Sequence, residues 1–157
     1  MRNCAILQTD AWLESLPSQV RVGIDVAEIA EVEDAIARYG DRYERRLFTE
    51  CERTEASGTA PVRAASLAAR FAAKEATIKI LAPLGEAPPW RSIEVRREPG
   101  DAPQLHLHGP AAEIANRAGI TSWAVSLTHD AGIAAAVVVA LGGGEPMAGQ
   151  LVGRGTA

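Results

Sequence analysis

The sequence predicts an α+β fold in which an antiparallel sheet packs against one long central helix. Three patterns carry that expectation. Residues 67–81 place Leu67, Phe71, Ile78 and Leu81 in one helical sector and Ala69, Ala73, Ala76 and Ile80 roughly opposite, so this helix is apolar on two sides and packs on both. Short β-rich segments at 20–26, 93–96, 104–108, 123–128 and 133–141 flank it, separated by turns and short helices marked by Gly and Pro. The last of them, Ile133 to Leu141, is apolar throughout, which suits a central strand.

At 157 residues the chain forms one domain with a sizeable core. Hydrophobic residues make up 47% and charged residues 23%, a globular composition, and the net charge of −4 argues against bulk binding to nucleic acid or an anionic membrane. Cys4 and Cys51 have neither metal-type nor redox-type spacing and are expected as free thiols. The first residues lack a basic segment followed by an unbroken apolar run, and no stretch reaches spanning length, so a soluble cytoplasmic protein is expected.

Taken in order, residues 1–19 form an N-terminal extension, with an amphipathic turn or two over 11–16 before Pro17. The domain occupies 20–141. Its first strand, 20–26, alternates, with Arg21 and Gly23 interrupting the apolar side. A helix follows directly, because Ile29, Val32 and Ile36 recur at helical spacing and Gly40 supplies a stop, which puts Asp25 at a strand-to-helix junction. After a basic stretch from Arg42 to Leu47, Thr49 and Glu52 have capping-box spacing for another helix, closed by Gly58 and Pro61. The main helix runs from about Ala64 to Leu81 and leaves through Pro83, Gly85, Pro88 and Pro89. Strands 93–96 and 104–108 form a hairpin turning at Pro99-Gly100. Gly109-Pro110 ends the second of these, Ala111 to Ala118 is a short helix stopped by Gly119, and the strands 123–128 and 133–141 join around His129 to Gly132. A glycine-rich stretch over 142–157 forms a flexible tail.

Charges on a helix that is buried on two sides need partners or a ligand, which singles out Arg70, Lys74, Glu75 and Lys79. Glu75 and Lys79 are spaced either as a helical ion pair or as a ligand for a hard divalent cation with a phosphate contact one turn on. Asp25 is either a helix cap, since Asp25-Val26-Ala27-Glu28 has capping-box spacing, or the second carboxylate of such a cation site. Mg2+ takes one or two protein carboxylates and fills its other positions with water and phosphate oxygens. His129, between two strands, suits either a hydrogen-bonded turn or a contact to a phosphate. His106 and His108 share one strand face with no third ligand near, which fits an exposed face better than a metal site. The arginines from Arg38 to Arg63 read as a solvated surface or as a patch for an acidic partner.

Gly23-Ile24-Asp25-Val26-Ala27-Glu28-Ile29, Phe48-Thr49 with Glu52, Arg70-Phe71-Ala72-Ala73-Lys74-Glu75-Ala76 with Lys79, Ile93-Glu94-Val95 and Ser126-Leu127-Thr128-His129 occur in one order. Together they resemble the holo-acyl-carrier-protein synthase family of 4′-phosphopantetheinyl transferases, over about Val20 to Leu141. The resemblance implies transfer of 4′-phosphopantetheine from coenzyme A to a serine of an apo acyl or peptidyl carrier protein, releasing adenosine 3′,5′-bisphosphate. It implies Asp25 and Glu75 as Mg2+ ligands, with Lys79 on the phosphate side, His129 near the coenzyme, and Arg70 and Lys74 supporting the anionic coenzyme. It also implies a homotrimer with active sites between subunits. A non-catalytic trimeric module that binds carriers or nucleotides is the alternative, and the joint presence of Asp25, Glu75, Lys79 and His129 favours the enzyme. Two departures stand out: Glu31 lies where the family often carries an arginine, and Ala82-Pro83-Leu84-Gly85 replaces a Gly-Thr-Gly-like loop. The first predicts a carrier other than the standard fatty-acid one, such as that of a polyketide or peptide synthase.

Overall fold

Strand β1 (Gln19–Glu28) pairs antiparallel with β5 (Ile133–Gly142), which pairs antiparallel with β4 (Ile120–Asp130), giving the order β1–β5–β4. The computed structural model describes residues 19–97 and 100–142. The expected turns over 11–16, Cys4, Pro99 of the hairpin turn and the tail beyond Gly142 lie outside the described residues. The apolar run is the central strand, as its composition predicts.

Helix α1 (Ile29–Tyr39) follows β1 without a loop and ends at Gly40, whose φ of 55° is the left-handed conformation that glycine adopts freely. Helix α2 (Asp41–Leu47) comes next, in a basic stretch whose sequence does not by itself predict a helix; Leu47 and Glu44 face inward while the arginines face out. Helix α3 (Glu50–Glu55) has the expected capping box with both arms formed. The main helix, α4 (Ala60–Leu81), starts earlier than predicted, because Pro61 sits in its first turn, where its missing N–H is not needed, instead of closing the segment before it. Two single turns of 3-10 helix, Ala82–Leu84 and Trp90–Ser92, lead to the hairpin of β2 (Ile93–Arg96) and β3 (Gln104–Leu107). Gly109-Pro110 opens α5 (Gly109–Arg117), for the same reason that Pro61 opens α4.

Helix α4 is buried on both sides, as its pattern predicts. Leu67 and Leu81 have no exposed surface, and neither do Ala73 and Ala76. Its alanines face Ala134, Ala136, Val138 and Ala140 of β5, so the helix backbone lies close to the sheet. Gly23 permits this: a Cβ there would stand 2.0 Å from the Ala76 carbonyl oxygen.

The alternation of β1 therefore works the other way round from an ordinary strand. Gly23 is the buried position, and the apolar side chains Val20, Val22, Ile24 and Val26 point away from the helix with 60–63% of their surface exposed. On the same face of β5 stand Val137, opposite Ile24, and Ile133, opposite Glu28, 38% and 42% exposed. The β1–β5 part of this face is thus an uncovered apolar surface, bordered on β4 by the exposed Ser126, Thr128 and Asp130. Among the described residues, no helix is long and apolar enough to cross a membrane.

Candidate functional site

The close approach of Gly23 to Ala76 brings Asp25, two residues further along β1, over the next turn of α4. Asp25 lies inside the strand. The helix N-cap is Glu28, which makes no side-chain capping bond, so the capping role considered for Asp25 is not the one it plays. Its side chain is 17% exposed and meets Lys79: the ammonium donates to Asp25 Oδ1 at 2.7 Å and to the Ile24 carbonyl at 2.8 Å. Lys79 itself is 55% exposed, so its charge also faces solvent.

Glu75 stands one turn before Lys79 on α4 and is not paired with it. Its Oε1 accepts a hydrogen bond from the indole Nε1–H of Trp90. Each carboxylate thus has one oxygen held by a donor, and among the described residues no donor meets Asp25 Oδ2 or Glu75 Oε2. Two hard oxygen ligands on rigid elements at one helix–strand crossing fit a small divalent cation that keeps most of its water. Among the described residues no group of three or more His, Cys, Asp or Glu converges, so a cation here would rest on these two carboxylates.

Lys74 and Arg70 turn inward. Lys74 has no exposed surface; it pairs with Glu52 at 2.9 Å and donates to the carbonyls of Trp90 and Ile93. Burial lowers its pKa, and the Glu52 carboxylate opposes that shift. An ammonium enclosed in this way has no surface on which a coenzyme phosphate can rest, so Lys74 is an internal tie and not the coenzyme contact expected of it. Arg70, 7% exposed, is held by Glu55 at 2.9 Å and by Ser66, and its buried Nε has no partner among the described residues.

His129 belongs to β4, not to a turn. It shares the row Ala27–Ala134–His129 across the sheet, next to the row that carries Asp25, and it is exposed with no hydrogen-bond partner among the described residues. Two strand spacings, about 10 Å, separate its strand from that of Asp25. The chain brings Asp25 to Lys79, with Glu75 one turn before Lys79 on α4, and leaves His129 on the far strand of the sheet.

A cleft of about 460 Å³ is lined by Val26, Ala27, Glu28, Glu31, Val32, Tyr43, Phe71 and Ile133. Val26 and Ala27 directly follow Asp25, and Phe71 is one turn before Glu75. Of the arginines, Arg45 and Arg53 pair with Asp41 and Arg63 with Glu44, which makes them mostly local structure. His108 is the N-cap of α5 and contacts Glu94 at 3.0 Å, so it does not simply share an exposed face with His106. A second, polar cleft of about 370 Å³ is lined by Cys51, Glu55, Arg96, Gln104 and His106 among others, and neither cleft includes Asp25 or Glu75.

Trp90 carried no motif in the sequence. Its only signal was position: an aromatic residue between a diproline and a strand, at the end of the connection leaving the main helix.

A model of the 4′-phosphopantetheinyl transferase superfamily matches residues 21–138. A holo-[acyl-carrier-protein] synthase from Beutenbergia cavernae is 48% identical over 122 residues, which is 77% of this chain and 97% of that protein. Among solved structures, an ACPS–CoA complex from Chronobacterium ammoniagenes aligns with a TM-score of 0.69 and 29% identity, over 80% of this chain and 98% of that one. A Helicobacter pylori holo-[acyl-carrier-protein] synthase in complex with coenzyme A aligns with a TM-score of 0.64 and 29% identity, over 76% and 99%.

Proposed function

The chain belongs to the 4′-phosphopantetheinyl transferase superfamily, and from that premise we propose that it is a Mg2+-dependent holo-[acyl-carrier-protein] synthase. It moves 4′-phosphopantetheine from coenzyme A to a serine of an apo carrier protein. The observation that carries the cation part of this reading is the pair Asp25 and Glu75, each with one oxygen tied by a donor and the other open at one crossing of β1 and α4.

In the reaction the serine Oγ forms a bond to the phosphorus that bears the pantetheine arm. The pyrophosphate P–O bond breaks, the serine proton leaves to a base, and adenosine 3′,5′-bisphosphate departs. Negative charge builds on the bridging and non-bridging oxygens, so the work of the site is positioning and charge neutralisation. Mg2+ held at this crossing would supply Lewis-acid neutralisation of the pyrophosphate. Asp25 and Glu75 would hold it, and Lys79, already exposed and one turn from Glu75, exchanges part of its contact with Asp25 for a phosphate oxygen. The half-apolar cleft at Val26, Ala27 and Phe71 has the lining to receive the carrier's serine or the pantetheine arm.

His129 is assigned to the coenzyme held by a neighbouring copy of the chain, since it is exposed and its strand lies two spacings from that of Asp25. The uncovered face of Val20, Val22, Ile24, Val26, Ile133 and Val137 is the surface on which copies meet, and the reading takes the assembly to be a homotrimer in the cytoplasm.

The test is mass spectrometry of an apo carrier incubated with the protein, coenzyme A and Mg2+. A gain of one phosphopantetheine mass is expected, abolished in Glu75→Gln with the fold intact. No mass shift across fatty-acid, polyketide and peptide carriers rejects the enzyme, and full activity of Glu75→Gln removes Glu75 from the cation site.

A further inference from the structure

Trp90 touches α4 twice, at successive residues. Its indole Nε1–H donates to Glu75 Oε1, and its carbonyl accepts from Lys74 Nζ at 3.0 Å. Lys74 is in turn held by Glu52, and Glu52 accepts the backbone N–H groups of Val95 at 2.9 Å and Thr49 at 2.8 Å. The backbone of Trp90 is therefore tied into the interior of the domain, while its ring reaches outward to a carboxylate at the site.

The chemistry of that one contact is specific. An indole N–H only donates, so it can engage a carboxylate oxygen and nothing about it competes as an acceptor for a cation. It is also neutral. Lys79 orients Asp25 at the expense of placing a positive charge beside any cation, whereas Trp90 orients Glu75 without that repulsion. With Oε1 occupied, the carboxylate of Glu75 is fixed in rotation and presents Oε2.

We propose that Trp90 is a positioning residue that aims Glu75 at the divalent cation, anchored for that purpose by the Lys74–Glu52 pair. The proposal rests on the assignment of Glu75 as a cation ligand. Partners of this kind, one step behind a ligand, are worth about 10- to 100-fold in metal affinity.

The experiment uses the full chain in its native assembly with coenzyme A present, and Mn2+ in place of Mg2+, free Mn2+ being read by its electron paramagnetic resonance signal. The variants are Trp90→Phe, Trp90→His, Glu75→Gln and the Trp90→Phe/Glu75→Gln double variant, all compared below the unfolding temperature of the least stable. Trp90→Phe is expected to weaken Mn2+ binding roughly tenfold. Trp90→His, which keeps a ring N–H, recovers part of that loss. On the Glu75→Gln background, Trp90→Phe adds no further loss, because the group it orients is gone. In turnover, Trp90→Phe raises the Mg2+ concentration for half-maximal rate by a similar factor and leaves the KM for the carrier unchanged.

Wild-type Mn2+ affinity in Trp90→Phe, with Glu75→Gln weakened, overturns the role of Trp90 and leaves the cation site standing. An equal loss from Trp90→Phe on both backgrounds overturns it too, since that is the mark of general destabilisation. Wild-type affinity in Glu75→Gln overturns the cation site and this proposal together.

Discussion

Glu52 and Lys74 meet at 2.9 Å with no exposed surface on either side chain. A buried pair of this kind contributes little against an apolar replacement, yet removing one member leaves the other charged and enclosed. Lys74→Met is therefore expected to destabilise the protein by about 3–5 kcal/mol in chemical denaturation at fixed protein concentration, and Lys74→Met combined with Glu52→Gln by less than Lys74→Met alone. A loss below about 1 kcal/mol for Lys74→Met would mean that the core takes up water at this point.

Glu94 predicts an acid limb. Burial pushes its pKa up, but hydrogen bonds from Thr49, His108 and Arg96 outweigh burial and bring it from 4.5 to about 2. A carboxylate depressed by folding contributes stability that is complete above its unfolded pKa and lost as pH falls through its folded one. Unfolding free energy should thus decline between pH 4.5 and pH 2 by about 1–3 kcal/mol from this group, the lower end reflecting the exposure of Arg96 and His108. Glu94→Gln should flatten that part of the pH–stability curve.

Gly23→Ala tests the crossing on which the site is built. The added Cβ would lie 2.0 Å from the Ala76 carbonyl oxygen and 2.8 Å from its carbon, and both are backbone atoms that cannot rotate away. A destabilisation of more than about 2 kcal/mol is expected in denaturant titration, together with weaker divalent-cation binding as α4 is pushed off β1.

Val22→Asp tests the uncovered sheet face. Val22 is 63% exposed and pairs across the ladder with Val139. The variant is expected to keep its far-ultraviolet circular dichroism, to shift to monomer in light scattering, and to lose most of its transferase rate. An unchanged oligomer would place the assembly surface elsewhere.

Glu31 carries the expectation about the carrier. It is exposed and lines the cleft with Val26, Phe71 and Glu28, so a partner approaching Asp25 meets negative charge. Glu31→Arg should raise kcat/KM toward an acidic carrier several-fold at low salt, with the gain shrinking as salt is added.

The fold was legible where one residue type decides one conformation. Gly40 ended α1, Thr49 and Glu52 capped α3, and an unbroken apolar run marked the central strand. Proline admits two meanings: local sequence makes Pro61 and Pro110 stops, whereas in the structure both are first-turn residues of a helix. The rule that charges stand out on an element burying apolar surface singles out Glu75 and Lys79, but it singles out Arg70 and Lys74 equally, which turn inward, and spacing does not bring Asp25 to Lys79. The partners of those charges were not legible. That Lys74 would face Glu52 and Glu75 would face Trp90 depends on how α4 rotates against the segments leading into β2, which helical spacing alone does not determine.

The reversed alternation of β1 has a thermodynamic consequence. Its inward positions carry Gly23 and Asp25 and its outward positions carry Val22, Ile24 and Val26, so the residues proposed for cation binding and those proposed for self-association alternate along one strand. Once copies of the chain meet on that face, the two equilibria share a backbone and are linked: whatever binds more tightly to the assembled form tightens the assembly by the same factor. Coenzyme A and its cation should then lower the concentration at which the oligomer forms, and dilution should weaken their binding in equal measure.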